Sequence, residues 1–102
     1  MIKSFRTSDL SPQQFIDKVM QALAGRDLGK IATMSVSGEN MLIIFSKLGK
    51  SEVVFGITKE GAGFSCAHKS EKIAFTHKAL RAGIESSLAK VLQSAGATVE
   101  EG

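Results

Sequence analysis

The apolar positions change their period twice along the chain. Between Ser11 and Gly25, Phe15, Ile16, Val19, Met20 and Leu23 recur at the three-and-four spacing of a helix with one buried stripe. Ser11 suits the N-cap, Pro12 the first helical position and Gln14 the return arm of a capping box. Leu10 and Phe15 stand where a hydrophobic staple closes, and Gly25 supplies a stop. The spacing predicts a helix over about residues 12–24. Ahead of it, the stretch from Ile2 to Thr7 is a candidate short edge strand.

From Lys30 to Lys69 the period falls to two, and turn signals interrupt it at Ser37-Gly38-Glu39-Asn40, Leu48-Gly49-Lys50-Ser51 and Lys59-Glu60-Gly61-Ala62. The pattern predicts a four-stranded antiparallel meander over about residues 30–69. With two-residue loops, Lys47 faces Glu52 and Glu52 faces Lys69, a row of opposite charges. That register puts Ala32, Met34, Val36, Met41, Ile43, Phe45 and Val54 on one face. Leu42, Ile44, Val53, Phe55, Ile57, Phe64 and Cys66 fall on the other. Two apolar faces both need covering.

In the last third, Ile73, Leu80, Ile84, Leu88, Val91 and Ala95 fall within a narrow helical arc, with Ser70 as a candidate cap and Gly96 as a stop. The expectation is a longer C-terminal helix over about 72–95. Phe75 lies opposite that arc, which leaves 72–77 open to an irregular or extended conformation. Residues 1–8 and 97–102 read as loose ends. The fold class is therefore α+β in a single domain spanning 1–102, with one helix before the meander and one after.

Composition narrows the class further. At 43% hydrophobic and 23% charged residues, the 102-residue chain is neither disordered nor a repeat fibre. The longest apolar run, Met41 to Phe45, is far too short to span a membrane, and the first residues carry no apolar signal segment. A lone cysteine, Cys66, forms no internal disulfide, so a cytoplasmic setting is the simpler expectation. The net charge of +3 is mild. Lys69, Lys72, Lys78 and Arg81 make the nearest approach to a basic cluster; a solvated face explains them more simply than a phosphate track.

Candidate chemistry is sparse. Gly49-Lys50-Ser51 echoes the end of a phosphate-binding loop, but Ile44 stands where the leading glycine belongs and a strand follows instead of a helix. Gly63-Phe64-Ser65-Cys66-Ala67 approaches a nucleophile elbow, yet an antiparallel strand offers no strand-to-helix turn to lift the serine. Small residues that let strands pack closely explain that segment better. Cys66, His68 and His77 are metal-ligating types without a fourth partner close by in sequence. His77 has no nucleophile or carboxylate beside it in sequence that would mark it as a general base. No catalytic residue, metal or cofactor is assigned.

The expectation is a non-enzymatic protein-interaction module acting through an apolar sheet or helix surface, with Leu42, Ile44, Phe55, Ile57 and Phe64 as its candidate interface. The partner is another protein or a second copy in a homodimer, and not a membrane. The alternative is a small basic nucleic-acid-binding or regulatory domain, with Lys69, Lys72, Lys78 and Arg81 as its anion contacts.

Overall fold

The cap residues around Ser11 act as their types predict. Ser11 Oγ accepts the Gln14 backbone N–H at 3.2 Å, and Gln14 Oε1 accepts the Ser11 N–H at 3.0 Å. Helix α1 (Pro12–Leu23) follows and buries Phe15, Ile16, Val19 and Leu23. The computed structural model describes residues 2–101.

Six strands follow the alternating pattern: β1 (Ile2–Thr7), β2 (Ala32–Ser37), β3 (Asn40–Ser46), β4 (Lys50–Glu60), β5 (Gly63–Lys72) and β6 (Thr98–Glu101). They form one antiparallel sheet in the order β2-β3-β4-β5-β1-β6, so the fold is α+β with a meander at its centre. Ile2–Thr7 and Thr98–Glu101, within the segments expected loose, are strands, while residues 1 and 102 lie outside the described residues. Phe5 takes Cys66 on one side and Val99 on the other, so β1 is an interior strand and not an edge. Gly63 makes the join with β5 feasible: a Cβ there would lie 2.0 Å from the Thr7 carbonyl oxygen.

Only the first hairpin keeps the expected register, with Ser37 opposite Asn40. The second loop has three residues between Ser46 and Lys50, so Ile44 and not Lys47 faces Glu52. In the third, Gly61 at φ 59 leads the central pair and Glu60 pairs with Gly63. A bulge between Val54 and Phe55 adds a further step, and Glu52 meets Lys72 instead of Lys69. The expected charge row of Lys47, Glu52 and Lys69 is thus absent.

The odd shift between β3 and β4 turns β4 over. Phe45 and Phe55 now share a face with Met34, Met41, Ile43, Phe64 and Cys66. Phe5, Phe15, Phe55 and Phe64 pack ring to ring, with centroids 5.0 to 5.7 Å apart. α1 and α3 (Arg81–Ser94) cover that face, α3 through buried Leu88, Ala89, Val91 and Leu92. The opposite face carries Leu42, Ile44 and Val54 half-buried among polar and small residues.

The helix expected over 72–95 is split. Strand β5 continues to Lys72, with Ser70 pairing with Val54 instead of capping a helix. The one-turn helix α2 (Phe75–Lys78) then precedes α3. Among the described residues, no helix is long and apolar enough to cross a membrane.

Replacing Ser11 with alanine should lower stability by about 1 kcal/mol, because it removes the acceptor for an otherwise orphan helix N–H. The shift is read from the urea midpoint; an unchanged midpoint would mean that the capping box contributes nothing to folding.

Candidate functional site

The loop between β3 and β4 is clipped to α2 by side chains that the meander brings within reach. Ser51, the second residue of β4, points to the helix side and is buried; so is His77 in α2. Ser51 Oγ and His77 Nδ1 lie 2.5 Å apart, and His77 Nε2 is 2.6 Å from the Lys47 carbonyl oxygen. A carbonyl only accepts, so Nε2 carries the proton and the Ser51 hydroxyl donates to Nδ1. Ser51 Oγ also accepts the Ala74 N–H at 2.8 Å. Thr76 Oγ1 adds a bond to the Leu48 carbonyl at 2.7 Å. These contacts hold Leu48 at φ 55, a conformation that costs a branched side chain energy.

A serine beside a histidine invites comparison with nucleophilic catalysis, but here both groups are occupied. Ser51 is 1% exposed, and its oxygen already accepts from a backbone N–H. The adjoining notch, lined by Phe45, Val53, Ile73, Ile84 and the Ser51–His77 pair, has a volume of about 20 Å³, room for one water or one methyl group.

A second cluster ties β5 to α3. Arg81 grips Glu71 with two contacts of 2.6 Å and reaches Glu85 at 3.5 Å. His68 Nε2 is 2.8 Å from the same Glu71 carboxylate. The Arg81 hydrogen bond, with a lesser contribution from His68, holds the Glu71 carboxyl below its ordinary value of 4.5. The Arg81 guanidinium is raised in turn, chiefly by its bond to Glu71.

The residues singled out by sequence separate into distinct places. Phe55 and Phe64 lie in the core at 1% and 0% exposure, and Ile57 sits on their covered face. They cannot form an open patch with Leu42 and Ile44, which occupy the other face. Of the basic group, Lys69 donates to Asn40 Oδ1 at 3.1 Å, while Arg81 is consumed by Glu71 and Glu85. Lys72 and Lys78 remain exposed without an ion pair among the described residues. Cys66 is buried, and burial pushes its thiol up to about 12, so it supplies no thiolate. Among the described residues no group of His, Cys, Asp and Glu is arranged to hold a metal.

Sequence reasoning missed the exposed corner that the clip creates. Leu48 is 84% exposed, Phe75 88% and Leu80 58%. The backbone segments that carry the first two are hydrogen-bonded together, and Leu80 N–H closes the turn on the His77 carbonyl. The available signal was Phe75, which no helical wheel placed on the core side. No family model, no curated protein and no solved structure matches the chain.

Two outcomes follow. Ser51→Ala strands the Ala74 N–H and His77 Nδ1, and should cost about 1–3 kcal/mol in urea unfolding. The lowered Glu71 carboxyl contributes stability that is present above pH 4.5 and is lost as pH falls below it. Glu71→Gln should therefore be less stable near neutrality and lose less on acidification; an unaltered acid response would show that the Arg81 pair contributes nothing.

Proposed function

We propose that this chain is a non-enzymatic protein-binding module and that it docks through the corner formed by the β3–β4 loop and α2. The observation that carries this reading is the exposure of Leu48, Phe75 and Leu80 on segments fixed by four tertiary hydrogen bonds. Large apolar side chains held out in water cost solvation free energy, and a partner that covers them recovers it. Fixing the backbone before binding lowers the ordering cost of association. Aromatic anchors of this kind dominate interface energetics.

The occupied Ser51 and His77 and the buried thiol support the non-enzymatic half of the proposal. A homodimer built on the open sheet face has less support than the corner, since that face offers only half-buried Leu42, Ile44 and Val54. A second copy of the chain nevertheless counts as a protein partner, and sedimentation of the purified chain reads it directly.

The test replaces Phe75 with a photo-crosslinking residue in the native host and identifies the protein it captures. That protein is then purified and titrated against the full chain. Phe75→Ser should weaken binding by about tenfold or more while leaving the urea midpoint unchanged. Equal affinity for Phe75→Ser, Leu48→Ser and the parent chain would overturn the corner as the docking site.

A further inference from the structure

The charges around the corner are lopsided. Lys47, Lys50, Lys72 and Lys78 surround it, all exposed, and none makes an ion pair among the described residues. Glu52 stands opposite Lys72 in the β4–β5 ladder, and Glu71, opposite Val53, is the next acid along it. Counting Arg81, Glu71 and Glu85 with them, the five basic and three acidic groups at this site leave an excess of two positive charges, within a chain whose net charge is +3. Glu71 and Glu85, the acids nearest in α3 and β5, are already taken by Arg81. The corner therefore joins the three most exposed large apolar side chains of the described residues to four exposed lysines that make no ion pair among them.

Beside it lies the notch walled by Phe45, Val53, Ile73 and Ile84, with the mutually paired Arg81 and Glu85 also in its lining. We propose that the corner receives an acidic amphipathic protein segment, one apolar side chain of which seats its tip in this notch while its carboxylates pair with Lys47, Lys50, Lys72 and Lys78. This rests on the protein-binding reading above and adds the chemistry of the partner.

Three observations favour such a segment over other polyanions. Single-stranded nucleic acid stacks bases on several aromatic faces, and here one phenylalanine is accompanied by two leucines that have no π-face. Bidentate phosphate recognition calls on arginine, and the nearby arginine is locked onto Glu71. A lipid surface has no use for a notch of about 20 Å³, whereas a peptide can fill it with a methyl group. Lysines at the rim raise the encounter rate with an acidic partner and make binding weaken with salt.

The experiment titrates the full chain by fluorescence anisotropy against a labelled amphipathic helical peptide with glutamates on one face and leucine and phenylalanine on the other. The control peptide carries lysine in place of every glutamate. Oligo(dT) and vesicles of phosphatidylserine and phosphatidylcholine form the other arms. The acidic peptide should bind, lose affinity as salt rises, and bind about tenfold more weakly to the Lys47→Glu, Lys78→Glu double variant, whose thermal unfolding should match the parent's. The lysine peptide should not bind. Equal binding of both peptides overturns the inference, as does binding that survives the lysine reversals. Binding of oligo(dT) or vesicles that the reversals abolish, with no acidic-peptide binding, assigns the corner to that polyanion and overturns the inference too. If the acidic peptide fails while a protein captured at position 75 still depends on Phe75, the charge inference falls and the protein-binding reading stands.

Discussion

The hydrogen bonds joining Ser51, His77 and the Lys47 carbonyl govern more of this structure than their number suggests. A two-residue turn with glycine leading its central pair is the local preference of Leu48-Gly49-Lys50-Ser51. The chain instead takes a longer loop with Leu48 at φ 55. A left-handed leucine is unfavourable alone, and here the Thr76 hydroxyl and the His77 imidazole bond to the two carbonyls that flank the strain. The Ser51 hydroxyl, shared between His77 and the Ala74 N–H, anchors the same segment from the strand side. Every buried side-chain nitrogen and oxygen among the described residues has a partner, as a buried polar clip requires.

That loop sets which side of β4 is inward. Strand faces alternate with period two, so an odd shift exchanges the entire apolar set of one strand between faces. The shorter turn would divide Phe45 from Phe55 and leave two apolar faces for two helices to cover. The observed register gathers the large side chains on one face, where four phenylalanine rings interlock beneath α1 and α3. The other face, with Glu52, Thr33 and Ser35 among its aliphatics, can meet water. Burial of phenylalanine-sized surfaces is worth ~2–3 kcal/mol per side chain, and the several rings gathered here together outweigh one strained residue of ~1–3 kcal/mol.

The same clip explains why the apolar side chains of the corner stay exposed. Leu48 and Phe75 stand on backbone whose position is dictated by bonds beneath them, so neither can fold inward without breaking the contacts that hold the register. The lysines are placed by the ends of β4 and β5 and by α2, and the local acids are held by Arg81 on the helix side. Stability and an exposed corner that is both apolar and rich in lysine are thus products of one arrangement.

The sequence determined what depends on near neighbours. The capping box from Ser11 to Gln14, the stripe from Phe15 to Leu23, the alternation of the meander and its first hairpin all rest on contacts a few residues apart. Of the candidate site, Lys72 and Lys78 were legible as exposed cations, whereas Phe55 and Phe64 were assigned to a surface because the face of β4 was inverted. Only the tertiary structure decided the loop at Leu48, the bulge at Val54, the insertion of β1 between β5 and β6, and the meeting of Ser51 with His77. Each of these depends on partners more than ten residues away along the chain, as with the 26-residue separation of Ser51 and His77. Local propensity carries no information about a hydrogen bond whose acceptor arrives from another part of the fold, and such a bond fixed the register here.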